Sequence, residues 1–90
     1  MAVYVISYDL NRPGQNYNDL FEAIKNVGSD WWHCLTSTWL VVSNKSAYQI
    51  AQAIGAHMDT NDKLLVNPVV NGSAWAGFGG DCESWLQRNL

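Results

Sequence analysis

Ninety residues, 48% of them hydrophobic and only 14% charged, make one domain with a thin core and exclude a large enzyme with a deep, self-contained cleft. Five Lys and Arg against eight Asp and Glu give a net charge of −3, and the cations Arg12, Lys25, Lys45, Lys63 and Arg88 are scattered singly. The basic stripe that long polyanions require is missing, which argues against duplex DNA and against a membrane surface as partners.

The first strand is expected over residues 2–9, where Val3-Tyr4-Val5-Ile6-Ser7-Tyr8 puts apolar residues on both faces, the pattern of a central strand. Asn11-Arg12-Pro13-Gly14 ends it in a loop. Tyr17, Leu20, Phe21, Ile24 and Val27 then form one stripe of a 3.6-residue repeat, with Asn16 as N-cap and Gly28 as the left-handed C-terminal residue of a first helix. Two strands follow, about 31–35 and 38–43, joined at Thr36-Ser37-Thr38. Ser46 and Gln49 have capping-box spacing ahead of a second stripe, Ala47, Ile50, Ala51, Ile54 and Met58. Asp59-Thr60-Asn61-Asp62 is a polar turn, and Leu64 to Val70 is a last strand whose end Pro68 demotes to an edge. Residues 71–90 form a glycine-rich aromatic tail with a short helix from about Asp81 to Asn89.

The order βαββαβ specifies an α+β, ferredoxin-like sandwich over residues 1–70, a four-stranded antiparallel sheet with two helices on one face. The other face has no cover within the chain and is expected to be an exposed apolar patch. A homodimer packing sheet to sheet is the economical solution, with residues 71–90 extending the domain or clamping the partner. No apolar run approaches the ~18 residues of a membrane span. The start MAVYVISYDL has no basic n-region or cleavage site, so a cytoplasmic protein is expected, with Cys34 and Cys82 as reduced thiols rather than a disulfide.

Few residues are suited to chemistry. Asp9 ends the first strand; one carboxylate cannot hold Mg²⁺, but two copies of the chain would bring two, with water and a substrate phosphate completing the shell. The alternative role for Asp9 is to bond loop amides between Asn11 and Gly14. His33 suits general acid–base work or a packed aromatic site. Thr36, Ser37 and Thr38 cluster hydroxyls that would bond phosphate oxygens or close their turn. His57, Asp59 and Asp62 are spaced as metal ligands or as a solvated helix end. Tyr8, Trp32, Trp39 and Trp75 are stacking platforms for a base or core filler, and Arg12 is the cation nearest Asp9 in the sequence.

Tyr8-Asp9-Leu10 at the end of the first strand, His33-Cys34-Leu35-Thr36-Ser37-Thr38-Trp39, Asn61-Asp62-Lys63-Leu64-Leu65, Trp75-Ala76-Gly77-Phe78 and Trp85-Leu86 together resemble the SinR-like branch of the CRISPR-associated protein 2 (VapD/endoribonuclease-like) superfamily. The resemblance spans nearly the whole chain. It implies a ferredoxin-like homodimer and three readings of function. The first is a binder of a small nucleotide or short oligonucleotide, such as a defence signalling nucleotide, which cleaves a phosphodiester with Mg²⁺ held by Asp9 of both copies. The second is a metal-dependent endoribonuclease of toxin–antitoxin type acting on RNA. The third is a non-enzymatic protein-interaction module in phage or bacterial defence or counter-defence.

Overall fold

A strand that is apolar on both sides needs cover on both sides, and the first strand, β1 (Ala2–Asp9), receives it. Tyr4 and Ile6 point to one face of the sheet, Val3 and Val5 to the other. A computed structural model describes residues 1–11 and 16–90. After β1 come α1 (Asn18–Asn26), β2 (Asp30–Trp32), β3 (Thr38–Ser43), α2 (Ala47–Gly55), β4 (Lys63–Pro68) and α3 (Gly80–Asn89). The strands lie in the order β2-β3-β1-β4 with every pairing antiparallel. Read from the β4 edge this is 4-1-3-2, a ferredoxin-like α+β fold, with β1 inside the sheet as its two apolar faces require.

Helices α1 and α2 share one face. Leu20 and Ile24 from α1 and Ile50 and Ile54 from α2 close on Tyr4, Ile6, Trp39 and Val41 of the sheet. The start of α1 carries Asp19, and its N-cap is Tyr17, without a side-chain cap, rather than the expected Asn16, whose side chain accepts the Asn18 amide at 2.9 Å from one position earlier. The α2 start has the expected capping box: Ser46 Oγ accepts the Gln49 amide at 3.1 Å and Gln49 Oε1 accepts the Ser46 amide at 3.0 Å. Ser43 is buried yet satisfied, donating to the Val27 carbonyl at 2.7 Å and accepting from the Lys45 amide at 3.1 Å.

Three further expectations are corrected. Gly28 does not serve as a left-handed helix terminator, because positive φ is confined, among the described glycines, to Gly72, Gly77 and Gly80. Its reason is space: a Cβ there would collide with the carbonyl of Val42, where the Ser29 amide also bonds at 2.8 Å. Gly28→Ala therefore pushes α1 off β3, and we expect a loss of about 2 kcal/mol in urea unfolding, within the usual overpacking range.

The second face of the sheet is not bare. The tail and α3 lie across its β2–β3 half, where Trp32 and Leu40 pack against Trp85 and Leu86, with Val3, Val5, Val42, Trp75 and Phe78 around them. The sequence pattern showed the unpaired face but not that the tail folds back over it. Cys34 and Cys82 are not free thiols either. They form a disulfide across 48 residues, Cα to Cα 6.3 Å, which ties the loop after β2 to the first turn of α3. No described helix is long and apolar enough to cross a membrane.

Candidate functional site

Alternation along β1 sorts the expected site residues onto two faces. Ser7 and Asp9 fall on the face that α3 partly covers, Tyr8 on the face of α1 and α2. Asp9 is exposed, and its partner across the β1–β4 ladder is Lys63. Directly opposed residues hold their Cβ atoms roughly 4.5–5.5 Å apart, so the two side chains leave the sheet from neighbouring positions on one face. Leu65 stands opposite Ser7 and is 61% exposed. A shallow depression of about 290 Å³ lies here, lined by Ser7, Tyr8, Asp9, Lys63, Leu64 and Leu65. On the other side of β1, Ser7 pairs with Thr38 and the two hydroxyls are 3.4 Å apart. This strip of the sheet is what α3 leaves open.

Of the loop amides expected to bond Asp9, that of Asn11 goes to another residue, and those of Arg12 and Gly14 lie outside the described residues. The amide of Asn11 donates to Asp62 Oδ1 at 2.8 Å, and the Asp59 amide donates to Asp62 Oδ2 at 2.9 Å. Asp62 thus pins the β1 exit to the turn before β4, and His57 lies exposed behind α2. Among the described residues no three of His, Cys, Asp and Glu converge as cation ligands, so a site at Asp9 would need a second copy of the chain to supply ligands. Arg12 lies outside the described residues, as do Pro13 and Gly14.

The aromatic candidates form a different unit. Trp39 is 1% exposed, and His33 stacks on it with ring centroids 3.8 Å apart and planes 11° from parallel. Trp39 also donates its indole N–H to the Tyr8 hydroxyl at 3.0 Å, and Phe21 packs against Tyr8, His33 and Trp39. The Trp39 ring therefore fills the core and offers no free face to a base. His33 belongs to the helix-covered face and Asp9 to the opposite one, so the two residues read as catalytic are separated by the sheet. His33 Nε2 lies 3.4 Å from the Thr36 carbonyl, and the Ser37 carbonyl accepts the Tyr8 amide at 3.2 Å. The exposed Thr36 and Ser37 side chains remain at the strand bend. Trp75 sits on the α3 side, half-buried, its indole N–H 3.4 Å from Glu83 Oε1.

Burial raises the Tyr8 phenol above its ordinary value, and the hydrogen bond from Trp39 offsets this in part. Since the unfolded phenol ionises first, near pH 10, the neutral folded form is favoured below that pH and the advantage is lost as pH rises through the folded value. Alkaline titration at the tyrosinate absorbance is expected to show a late-ionising component that Tyr8→Phe removes, with the Tyr8 contribution to stability lost only above about pH 10.

Sequence reasoning missed Ser7, Lys63 and Leu65 as neighbours of Asp9. Strand register is the only signal that joins them, and it is a tertiary property. Comparison with family models, with curated proteins and with solved structures finds no match for this chain.

Proposed function

We propose that the chain acts as a homodimer that binds a small nucleotide or short oligonucleotide at the Asp9 end of the sheet, in the manner its resemblance to CRISPR-associated protein 2 implies. The observation that carries this reading is the open strip itself: Asp9 and Lys63 face each other at its end, the Ser7 and Thr38 hydroxyls lie one step inward, and Leu65 offers an exposed apolar floor. Lys63 and the hydroxyls suit phosphate oxygens. Leu65 suits the apolar side of a sugar or base. Asp9 of each copy would hold one Mg²⁺, which supplies phosphate polarisation and an activated water when bound, so phosphodiester cleavage is the reaction this site fits. The low net charge favours a compact ligand over a polymer. The cytoplasm is the compartment where such ligands are available.

The test is isothermal calorimetry with mononucleotides, cyclic dinucleotides and a short RNA, each with and without Mg²⁺. Binding is expected for at least one small nucleotide, weakened at least about tenfold, or 1.4 kcal/mol, by Lys63→Ala, with Mg²⁺ dependence lost in Asp9→Ala. Binding that neither substitution alters, or no binding at millimolar ligand, overturns the reading. Cleavage of the RNA that depends on Asp9 selects the endoribonuclease reading instead.

A further inference from the structure

We infer that the Cys34–Cys82 disulfide is a reversible redox site, opened by thiols of the glutathione class, and that it controls whether α3 stays on the sheet. The inference stands apart from the nucleotide reading, since it rests on the other half of the same face. Cys34 lies in the irregular segment between β2 and β3, and Cys82 in the first turn of α3. Neither is fully buried. Both line a surface depression of about 190 Å³ whose other walls are Trp31, Trp32, His33, Asp81 and Trp85. A small thiol reaches the bond from solvent, unlike a disulfide sealed in a core.

The surroundings set the direction of opening. Cys82 is the third residue of a ten-residue helix, where the helix dipole favours a thiolate and the carboxylates of Asp81 and Glu83 in the same turn oppose it; the dipole makes Cys82 the leaving group. Cys34 has no such support. A reductant thiolate attacks Sγ of Cys34, the disulfide breaks, and its electron pair leaves on Sγ of Cys82. A second reductant thiolate then attacks the reductant sulfur of the mixed disulfide and frees Sγ of Cys34. Two reductant thiols end as one disulfide, having given two electrons, and their two protons end on Cys34 and Cys82.

Few contacts besides this bond hold α3. Trp85 and Leu86 bury themselves against Trp32 and Leu40. The Trp85 indole donates to Asp30 Oδ2 at 3.0 Å, and the Trp32 indole donates to the Cys82 carbonyl at 3.0 Å. The connection from β4 to α3 has neither helix nor strand and turns at Gly72 and Gly77, both at positive φ. With the bond closed, Cys82 cannot leave the β2–β3 segment. With it open, the buried Trp85 and Leu86, the half-buried Trp75 and Phe78, the latter edge-on to Trp32 at 5.1 Å, and two indole hydrogen bonds must order the whole tail, and α3 lifts off to expose Trp32 and Leu40.

The test treats the full chain with millimolar reduced glutathione under native conditions. Thiol alkylation with intact mass counts the opened cysteines, and hydrogen exchange reports each segment. Two alkyl groups should be gained, and exchange over residues 80–90 should speed up at least about tenfold while β1 and β3 keep their protection. Cys34→Ser should show the same acceleration without reductant. A bond that survives glutathione, a reduced protein with unchanged exchange over residues 80–90, or loss of protection in β1 and β3 together with α3 each overturns the inference. If Cys34→Ser does not fold, the reduced wild-type protein alone decides between these outcomes.

Discussion

Replacing Cys34 by Ser is expected to lower the free energy of unfolding by about 3 kcal/mol. The bond closes a loop between residues 34 and 82, a separation of 48. In the chain-entropy account, a loop of this length removes about 4 kcal/mol of freedom from the unfolded chain. Lift-off of α3 in the folded variant returns part of that freedom, so the net loss is the smaller figure. The same event leaves less surface to expose on unfolding, and the urea slope should fall along with the midpoint. Urea titration of oxidised wild type, reduced wild type and Cys34→Ser, followed by circular dichroism, measures both quantities. A loss near the full 4 kcal/mol with an unchanged urea slope would show that the tail holds itself in place.

Trp39→Ala is expected to cost about 4 kcal/mol, the largest effect of any single side chain in the domain. Trp39 is opposite Ile6 in the β1–β3 ladder and 1% exposed, at the centre of the face shared by α1 and α2. Truncation empties a space that Phe21, His33 and Tyr8 surround. It also removes the indole donor from the half-buried Tyr8 hydroxyl, which adds a polar term to the cavity term. Trp39→Phe separates the two: it restores most of the ring but not the N–H, and should recover more than half of the loss. Equilibrium urea unfolding of the two variants checks this. Equal losses would mean that the hydrogen bond, not the volume, dominates.

The two faces of the sheet have different roles. One is a sealed aromatic and aliphatic core under α1 and α2. The other is divided: its β2–β3 half and Val3 and Val5 of β1 lie beneath or beside a tethered strap, and the Asp9 end of its β1–β4 half is open, with Lys63 and Leu65 on it. The division revises the expectation of a dimer joined across a whole bare sheet. A second copy meeting the closed form finds only the open strip. Opening the disulfide would enlarge the surface on offer, so oligomeric state and redox state belong in the same experiment.

Local physics made much of the fold legible. The stripe from Tyr17 to Val27, the Ser46–Gln49 box and the two-sided apolar run of residues 2–9 each depend on neighbours a few residues apart, and each became the expected element. The βαββαβ order followed from them. Residues distant in the chain were decided otherwise. Whether Cys34 and Cys82 meet depends on where the tail docks. Whether Gly28 serves a turn or a close approach depends on the path of β3, and whether Trp39 faces solvent or core depends on which face receives the helices. Asp9 was visible as an acid at the end of a strand, but its neighbour Lys63 came only with the β1–β4 register. Composition showed a surplus of aromatic residues and a shortage of charge, and both follow from 90 residues that must cover two faces of one sheet. Tertiary structure alone decided that the chain covers one and a half of them itself, because burial of Trp85 and Leu86 requires a surface that exists only once β2 and β3 have paired.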